Sequence, residues 1–207
     1  MIIAIDGTAS SGKGTLARRV AAHHGLPHLD TGLLYRAVGQ RMLDFRHDLD
    51  ASEHAIDIAR AFSPSWLDDK RLRSAEAGAA ASRVAIVPEV RRALRDFQVS
   101  FANRPGGAVL DGRDIGTVIA PGADAKIWVD ALAEARARRR WRELSGQGEP
   151  ITEAEVLEAL RARDRRDAPN MIRADDAVLL DTTDLDIEAA VRAALAIVES
   201  RRSALGG

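Results

Sequence analysis

The chain contains no cysteine. Disulfides, thiolate zinc sites and a cysteine nucleophile are therefore excluded, and a reducing cytoplasm is the simplest compartment to expect. Long apolar runs are also missing, since none approaches the roughly 18 to 20 residues that a membrane helix needs. Met1 to Ile5 already reads as a strand, with no basic segment or cleavage site ahead of it, so a secretory signal is not expected. Neither sign of charge is in excess. Lys and Arg total 30 against 31 Asp and Glu, so no global field draws the chain to nucleic acid or an acidic membrane, and any anion site must be local. No internal repeat or low-complexity tract is present beyond ordinary alanine richness. A length of 207 residues suits one α/β domain with mobile subregions.

Met1-Ile-Ile-Ala-Ile5 is a short apolar, β-branched run that ends at Asp6-Gly7, the pattern of a buried parallel strand entering a glycine loop. Leu16, Val20 and the alanines between them then keep helical spacing as far as Gly25, a C-terminal stop. Further apolar runs stand at Ala108 to Asp111, Ala125 to Asp130 and Ala177 to Asp181, and an amphipathic helix closes the sequence from about Ile187 to Ser200. Short strands alternating with helices predict an α/β fold, a doubly wound parallel sheet covered on both faces. From about Tyr35 to Pro105 the pattern is helical and polar, which reads as an insertion. Two further breaks, Ser145 to Pro150 and Ala168-Pro169-Asn170, mark a loop tip and a helix end.

Gly7-Thr8-Ala9-Ser10-Ser11-Gly12-Lys13-Gly14-Thr15 places glycines five apart with lysine after the second, between a strand and a helix. Glycines let successive N–H groups curl toward phosphate oxygens, and the helix adds its positive N-terminal end. Lys13 then reaches the β and γ phosphates of ATP. The usual pattern has Ser or Thr directly after lysine; here Gly14 intervenes, and Thr15 is the candidate ligand for Mg2+.

A phosphate loop is shared by switches, motors and small-molecule kinases, so the acceptor must be read elsewhere. Asp30-Thr31-Gly32-Leu-Leu-Tyr35-Arg36 is the next informative cluster. It is followed in order by Leu72 to Ser82, Pro88 to Gln98, Asp111-Gly112-Arg113-Asp114-Ile-Gly116-Thr117, Lys126 to Asp130, Arg163 to Asp167 and Asp176 to Thr183. With these segments the chain resembles the bacterial cytidylate kinases over nearly its whole length, Asp111 to Thr117 being the most family-specific piece. The resemblance implies a P-loop kinase fold with a helical insertion for the nucleoside monophosphate at about 35–105 and a short lid at about 136–150. The activity it implies is transfer of phosphate from ATP to CMP or dCMP.

Several side chains have a chemistry that suits this reading. Arg36 and Arg113 carry guanidinium forks that match a phosphate monoester, and Tyr35 adds a hydroxyl. The resemblance puts both arginines on the acceptor phosphate and carries Ser82, Arg91 and Asp114 to the cytosine edge. A carboxylate at Asp114 accepts from the cytosine amino group and repels the uracil carbonyl. Thr31 and Gly112 belong to the same acceptor motifs. By resemblance, Arg163 and Asp167 hold the acceptor's phosphate and sugar. The family often has an arginine where this chain has Asn170, leaving Arg166 or Arg173 as alternative sources of that contact.

Five arginines fall within Arg136-Ala-Arg138-Arg139-Arg140-Trp-Arg142. Alone they suit a nucleic-acid patch or a charged face; ahead of a glycine-containing tip in a chain with a phosphate loop they read as a lid. Arg136 and Arg139 are the candidates to neutralise the transferring phosphoryl group and help exclude water. On this reading the lid closes on the donor, and the insertion folds down on the acceptor. The acceptor phosphate is already largely dianionic at pH 7, so no general base is required. That agrees with five histidines, His23, His24, His28, His47 and His54, read at helix ends or in the insertion and outside every cluster above. The expected partners are the small-molecule substrates ATP and CMP or dCMP, with no nucleic acid and no membrane, and the expected form is a cytoplasmic monomer. A kinase for UMP or AMP and an RNA-stimulated ATPase are the competing readings.

Overall fold

The computed structural model describes residues 1–146, 148 and 150–205. Gln147 and Glu149, part of the expected lid, lie outside the described residues. Two compact units are formed, one from 1–29 with 102–207 and one from 30–101.

The first unit is built on a five-stranded sheet in the order β2-β3-β1-β4-β5. Its strands are β1 (Ile2–Gly7), β2 (His28–Asp30, whose last residue falls in the second unit), β3 (Ala108–Gly112), β4 (Ala125–Asp130) and β5 (Val178–Asp181). β1 pairs in parallel with β3 and with β4, and β4 pairs in parallel with β5. The winding direction reverses at β1, so the loop leaving β1 opens at the kind of switch point where α/β sheets bind ligands. Ile3, Ile5, Val109, Ile127 and Val129 are fully or almost fully buried. They form one core with Leu16 and Val20 of α1 (Lys13–His24) and Val191 and Val198 of α8 (Ile187–Leu205). Each such side chain contributes about 1.5–3 kcal/mol of burial. Gly25 ends α1 in the left-handed conformation at φ 63, as its sequence position predicts.

Three elements depart from the sequence reading. β2 is only three residues long, too short for an alternating pattern to register. Directly after Asp114 the chain makes a single π-helical turn, Ile115–Ile119, a form with no simple sequence signature. α6 (Ala133–Gly146) runs through Ser145 and Gly146, where a loop tip was expected. α7 (Glu153–Asp167) starts on a capping box between Thr152 and Glu155. α6 and α7 pack through Ala137, Leu144, Val156 and Leu160, in one cluster with Ala9 of the glycine loop.

The second unit is helical. It contains α2 (Gly32–Asp44), α3 (Ser52–Arg60), α4 (Ala75–Val84), α5 (Pro88–Ala102, whose last residue falls in the first unit) and two short 3-10 turns. Its core gathers Leu34, Val38 and Met42 of α2, Ala55 and Ala59 of α3, and Val84, Val90 and Leu94. The alanine-rich run is explained by the approach of α4 to α2: a Cβ on Gly39 would come within 2.8 Å of the Ala80 Cβ. Gly39→Ala should therefore lower stability by about 1–3 kcal/mol through overpacking, read as a fall in the urea midpoint. An unchanged midpoint would show that this seam tolerates a methyl group.

Candidate functional site: a phosphate loop with two arginine-bearing clusters

β1 ends on Gly7 at φ 150, where a Cβ would lie 1.9 Å from the Val129 carbonyl oxygen. Only glycine allows the chain to leave the sheet so close to β4. Gly12 at φ 90 then caps α1, and the N–H groups of Thr15 and Leu16 donate to its carbonyl. Between them the loop is held by its own carbonyls and side chains. The Gly7 carbonyl accepts from Arg113 Nη1 at 2.9 Å, Ala9 from Arg136 Nη1 at 3.0 Å and Ser11 from Thr182 Oγ1 at 3.1 Å. The Thr8 carbonyl accepts from Ser11 Oγ and from Lys13 Nζ, at 2.9 and 3.3 Å, and Thr8 Oγ1 donates to Asp130 Oδ1 at 2.8 Å. The carbonyl oxygens of Gly7, Thr8, Ala9, Ser11 and Gly12, which would repel an anion, are thus each met by a donor. Backbone N–H groups, the helix end and the Lys13 ammonium are what the loop offers to a phosphate. Ser10 sits at φ 59 within this curl.

Magnesium prefers hard oxygen ligands. Thr15 lies on the exposed first turn of α1, and its hydroxyl accepts from Arg18 Nη2 at 3.1 Å. A hydroxyl has two lone pairs, so one such bond is compatible with metal ligation.

At the end of β3, next to β1, stand Gly112, Arg113 and Asp114. Arg113 Nε and Nη2 donate to one oxygen of Asp167, at 3.1 and 3.0 Å, and the same oxygen lies 3.6 Å from Arg163 Nε. Asp167 is only 12% exposed and Arg113 16%, so the pairing is weakly screened. The carboxylate sets two guanidinium groups side by side on the unit that carries the phosphate loop. It is engaged with arginine here, whereas sugar contact was the expectation for it. The Asp114 carbonyl accepts from Val118 N at 2.8 Å and, closing the π turn onto this residue, from Ile119 N at 3.4 Å.

Arg136 is 4% exposed, and all three of its guanidinium nitrogens are engaged. Nε donates to the Ala131 carbonyl, Nη1 to Ala9 and Asp164, and Nη2 to Asp164 at 2.7 Å. Arg139 donates to the carbonyls of Thr182, Thr183 and Leu185. Arg138 faces Glu153 at 3.5 Å and Arg140 faces Glu143 at 2.7 Å. Arg136 and Arg139 thus brace the loop and its neighbours, while Arg138 and Arg140 pair with glutamates of α7 and α6. Arg173 donates to the Ala177 carbonyl ahead of β5 at 2.8 Å, which commits it to a local turn.

One reading is corrected. His28 is neither at a helix end nor remote from the motifs: it lies on β2, with Nε2 2.6 Å from Asp111 Oδ1. A Cβ on Gly14 would sit 3.7 Å from the other Asp111 oxygen, so the pair stands beside the first turn of α1. The strand pairing that creates it is too long-range for sequence spacing to reveal. The contacts of Asp130 and Thr182 with the loop are equally long-range, although both residues lie in segments that carry the family resemblance and at the ends of apolar runs.

In the second unit, Thr31 is buried at the N-cap of α2, and Asp30 Oδ1 accepts from Gly32 N at 3.0 Å. Arg36 Nη1 donates to the carbonyls of Leu72 and Ser74 at 2.8 and 3.0 Å. A Cβ on Gly78 would come 2.9 Å from Arg36 Nη2, so glycine makes room for that guanidinium. The Arg91 guanidinium lies 5.5 Å from the centre of the Tyr35 ring, and Ser82 is buried on α4. Tyr35 and Arg91, and Arg36 and α4, are thereby brought together within this one unit.

The cytidylate kinase family model matches residues 3–200. A cytidylate kinase of Methylocella silvestris is 61% identical over 99% of this chain and 97% of its own length. Another, from Xanthobacter autotrophicus, is 58% identical over 98% and 99%. A solved structure of an uncharacterized protein from Eubacterium ventriosum covers 97% of this chain and 99% of its own at TM-score 0.56 and 15% identity, a likeness of fold alone. With a family model matched along nearly its full length and relatives well over half identical to it, the chain belongs to the cytidylate kinase family.

Proposed function

We propose that this chain transfers the γ-phosphate of ATP to CMP or dCMP, giving CDP or dCDP. The observation that carries the reading is the Arg113–Asp167–Arg163 cluster on the same unit as the phosphate loop, with Arg113 bonded to Gly7 at the start of that loop. Two arginines preset by a carboxylate suit a phosphate monoester, and the names of the relatives supply the nucleotide.

Gly7 to Thr15 is assigned to ATP, with Lys13 and the loop amides meeting the charge that grows on the transferring group. Mg2+ held with the help of Thr15 would neutralise the β and γ phosphates. In the sheet unit, Arg113 and Arg163 are assigned to the acceptor phosphate, Asp167 to their alignment and to the sugar, and Gly112 and Asp114 to the motif that meets the base. In the helical unit, Thr31, Tyr35 and Arg36 are assigned to the acceptor's phosphate side and Ser82 and Arg91 to its base. Arg136 and Arg139 remain the donor-side arginines of the reading. To meet phosphate they must exchange present partners for phosphate oxygens, carbonyls for Arg139 and carbonyls with the Asp164 carboxylate for Arg136. Binding, not proton abstraction, is the chemistry required, because the acceptor oxygen is already ionised. We place the enzyme in the cytoplasm as a monomer without nucleic-acid partners. No helix among the described residues is long and apolar enough to cross a membrane.

The deciding experiment is a panel of CMP, dCMP, UMP, AMP and dTMP with ATP and magnesium in a coupled assay for ADP. CMP and dCMP should lead in kcat/KM, and a preference for AMP or dTMP would overturn the assignment. Lys13→Ala should lower kcat by about 10²-fold or more through lost transition-state stabilisation; turnover near that of the parent would sink the role of the loop. Asp114→Asn should erode the preference for CMP over UMP, since an amide also donates to the uracil carbonyl. Unchanged selectivity would move base recognition to other side chains.

A further inference from the structure

We propose that Asp6 is a positioning residue for acceptor recognition: its carboxylate holds the turn that presents Arg113 and Asp114, and so sets acceptor affinity and base choice without touching the acceptor. The inference rests on the acceptor reading of Arg113 and Asp114 given above.

Asp6 is the penultimate residue of β1 and is 5% exposed. Its Oδ1 accepts from Ile115 N at 2.9 Å and its Oδ2 from Gly116 N at 2.8 Å. These are the two residues directly after Asp114, at the start of the π turn. On the other side of Asp114, Arg113 donates to the carbonyl of Gly7, the neighbour of Asp6. The segment from 113 to 116 is therefore bonded to the dipeptide Asp6-Gly7 at three points, with Asp114 between them. Gly116 makes the approach possible, since a Cβ there would lie 3.4 Å from Asp6 Oδ2 and 3.2 Å from Lys126 Cδ.

Two adjacent backbone N–H groups aimed at one side chain require a group that only accepts. An ionised carboxylate does so; an amide would turn its own donors toward one of the two N–H groups, and a protonated carboxyl would surrender an acceptor site. Burial pushes the Asp6 carboxyl up to about 6, the Asp114 charge adds to this, and the two N–H bonds and Lys13 oppose it. Asp114, Lys13 and the stem of Lys126 are the charged residues that face it. The raised value puts the loss of the acceptor within reach of mildly acid conditions.

The test is steady-state kinetics of the full chain and its Asp6→Asn variant with CMP, UMP and ATP from pH 5.5 to 8.5. At pH 8 the variant should raise KM for CMP by about tenfold, the loss of one charge-assisted hydrogen bond. KM for ATP should stay within about twofold and the CMP over UMP preference should fall. The variant-to-parent ratio of CMP KM should decline toward one as pH drops through 6, because the protonated parent then resembles the amide. The second ionisation of CMP is common to both proteins and cancels in that ratio. Gly116→Ala, which crowds the same turn, should raise the CMP KM with a ratio that does not follow this titration; it also serves if Asp6→Asn does not fold. CMP KM unchanged in both variants, or CMP and ATP KM raised equally at every pH, would overturn the positioning role. A parent chain that does not phosphorylate CMP would instead overturn the acceptor reading, and the inference with it.

Discussion

Everything in the sheet unit depends on how the chain leaves β1. At Gly7 the backbone passes so near β4 that a single Cβ would fall 1.9 Å from a carbonyl oxygen, and the curl that follows turns peptide dipoles in a direction they would not hold by themselves. A loop that points N–H groups inward must point carbonyls outward, and buried carbonyls without donors cost free energy. The remainder of the unit supplies those donors. Arg113 comes from the end of β3, Arg136 from α6 and Thr182 from beyond β5, each reaching a different loop carbonyl. The sheet order brings the end of β3 to one side of the loop and the end of β5 to the other, so fold and site share one hydrogen-bond network.

This network explains why some of the site was legible in the sequence and some was not. Gly7 to Thr15 could be read because its chemistry is local: glycine spacing, lysine and the following helix all lie within one short segment. Arg113 and Asp114 could be read as site residues because they end an apolar strand. Asp167 could be named as well, through the family resemblance, but its pairing with Arg113 could not be read. Asp167 lies 54 residues from Arg113 and Asp111 lies 83 from His28, and no periodicity links positions so far apart. β2 escaped notice for a different reason, since three residues are too few for a pattern and its place comes from pairing at the sheet edge. In the helical unit the alanine run had an ordinary local reading as helix. That Gly39 and Gly78 serve a close helix contact and a guanidinium is visible only once α2 and α4 are packed.

The arginines of α6 illustrate what local chemistry leaves open. From sequence they form a cationic stripe available to an anion. In the folded unit the stripe is largely spent internally, on carbonyls at Ala9 and Thr182 to Leu185 and on carboxylates at Asp164, Glu153 and Glu143. The near-zero net charge of the chain has this structural counterpart.

A guanidinium already bonded at every nitrogen does not bring its full attraction to an incoming phosphate, because the old bonds must be given up first. Only the difference between the two sets of bonds enters the free energy of binding. For Arg136 that difference is small or adverse: removing it from Asp164 would leave a partly buried carboxylate unpaired, at a cost of a few kcal/mol. Arg139 donates to neutral oxygens, the carbonyls of Thr182, Thr183 and Leu185 and the Thr182 hydroxyl, and such bonds are weaker than those to a charged oxygen by roughly a factor of two; the Asp181 carboxylate lies within its field. Exchange for phosphate oxygens therefore costs less for Arg139 than for Arg136, which is hydrogen-bonded to a carboxylate. Of the two donor-side candidates, Arg136 is the one held beneath the glycine loop by Ala131, Ala9 and Asp164, and Arg139 is the one with less to give up.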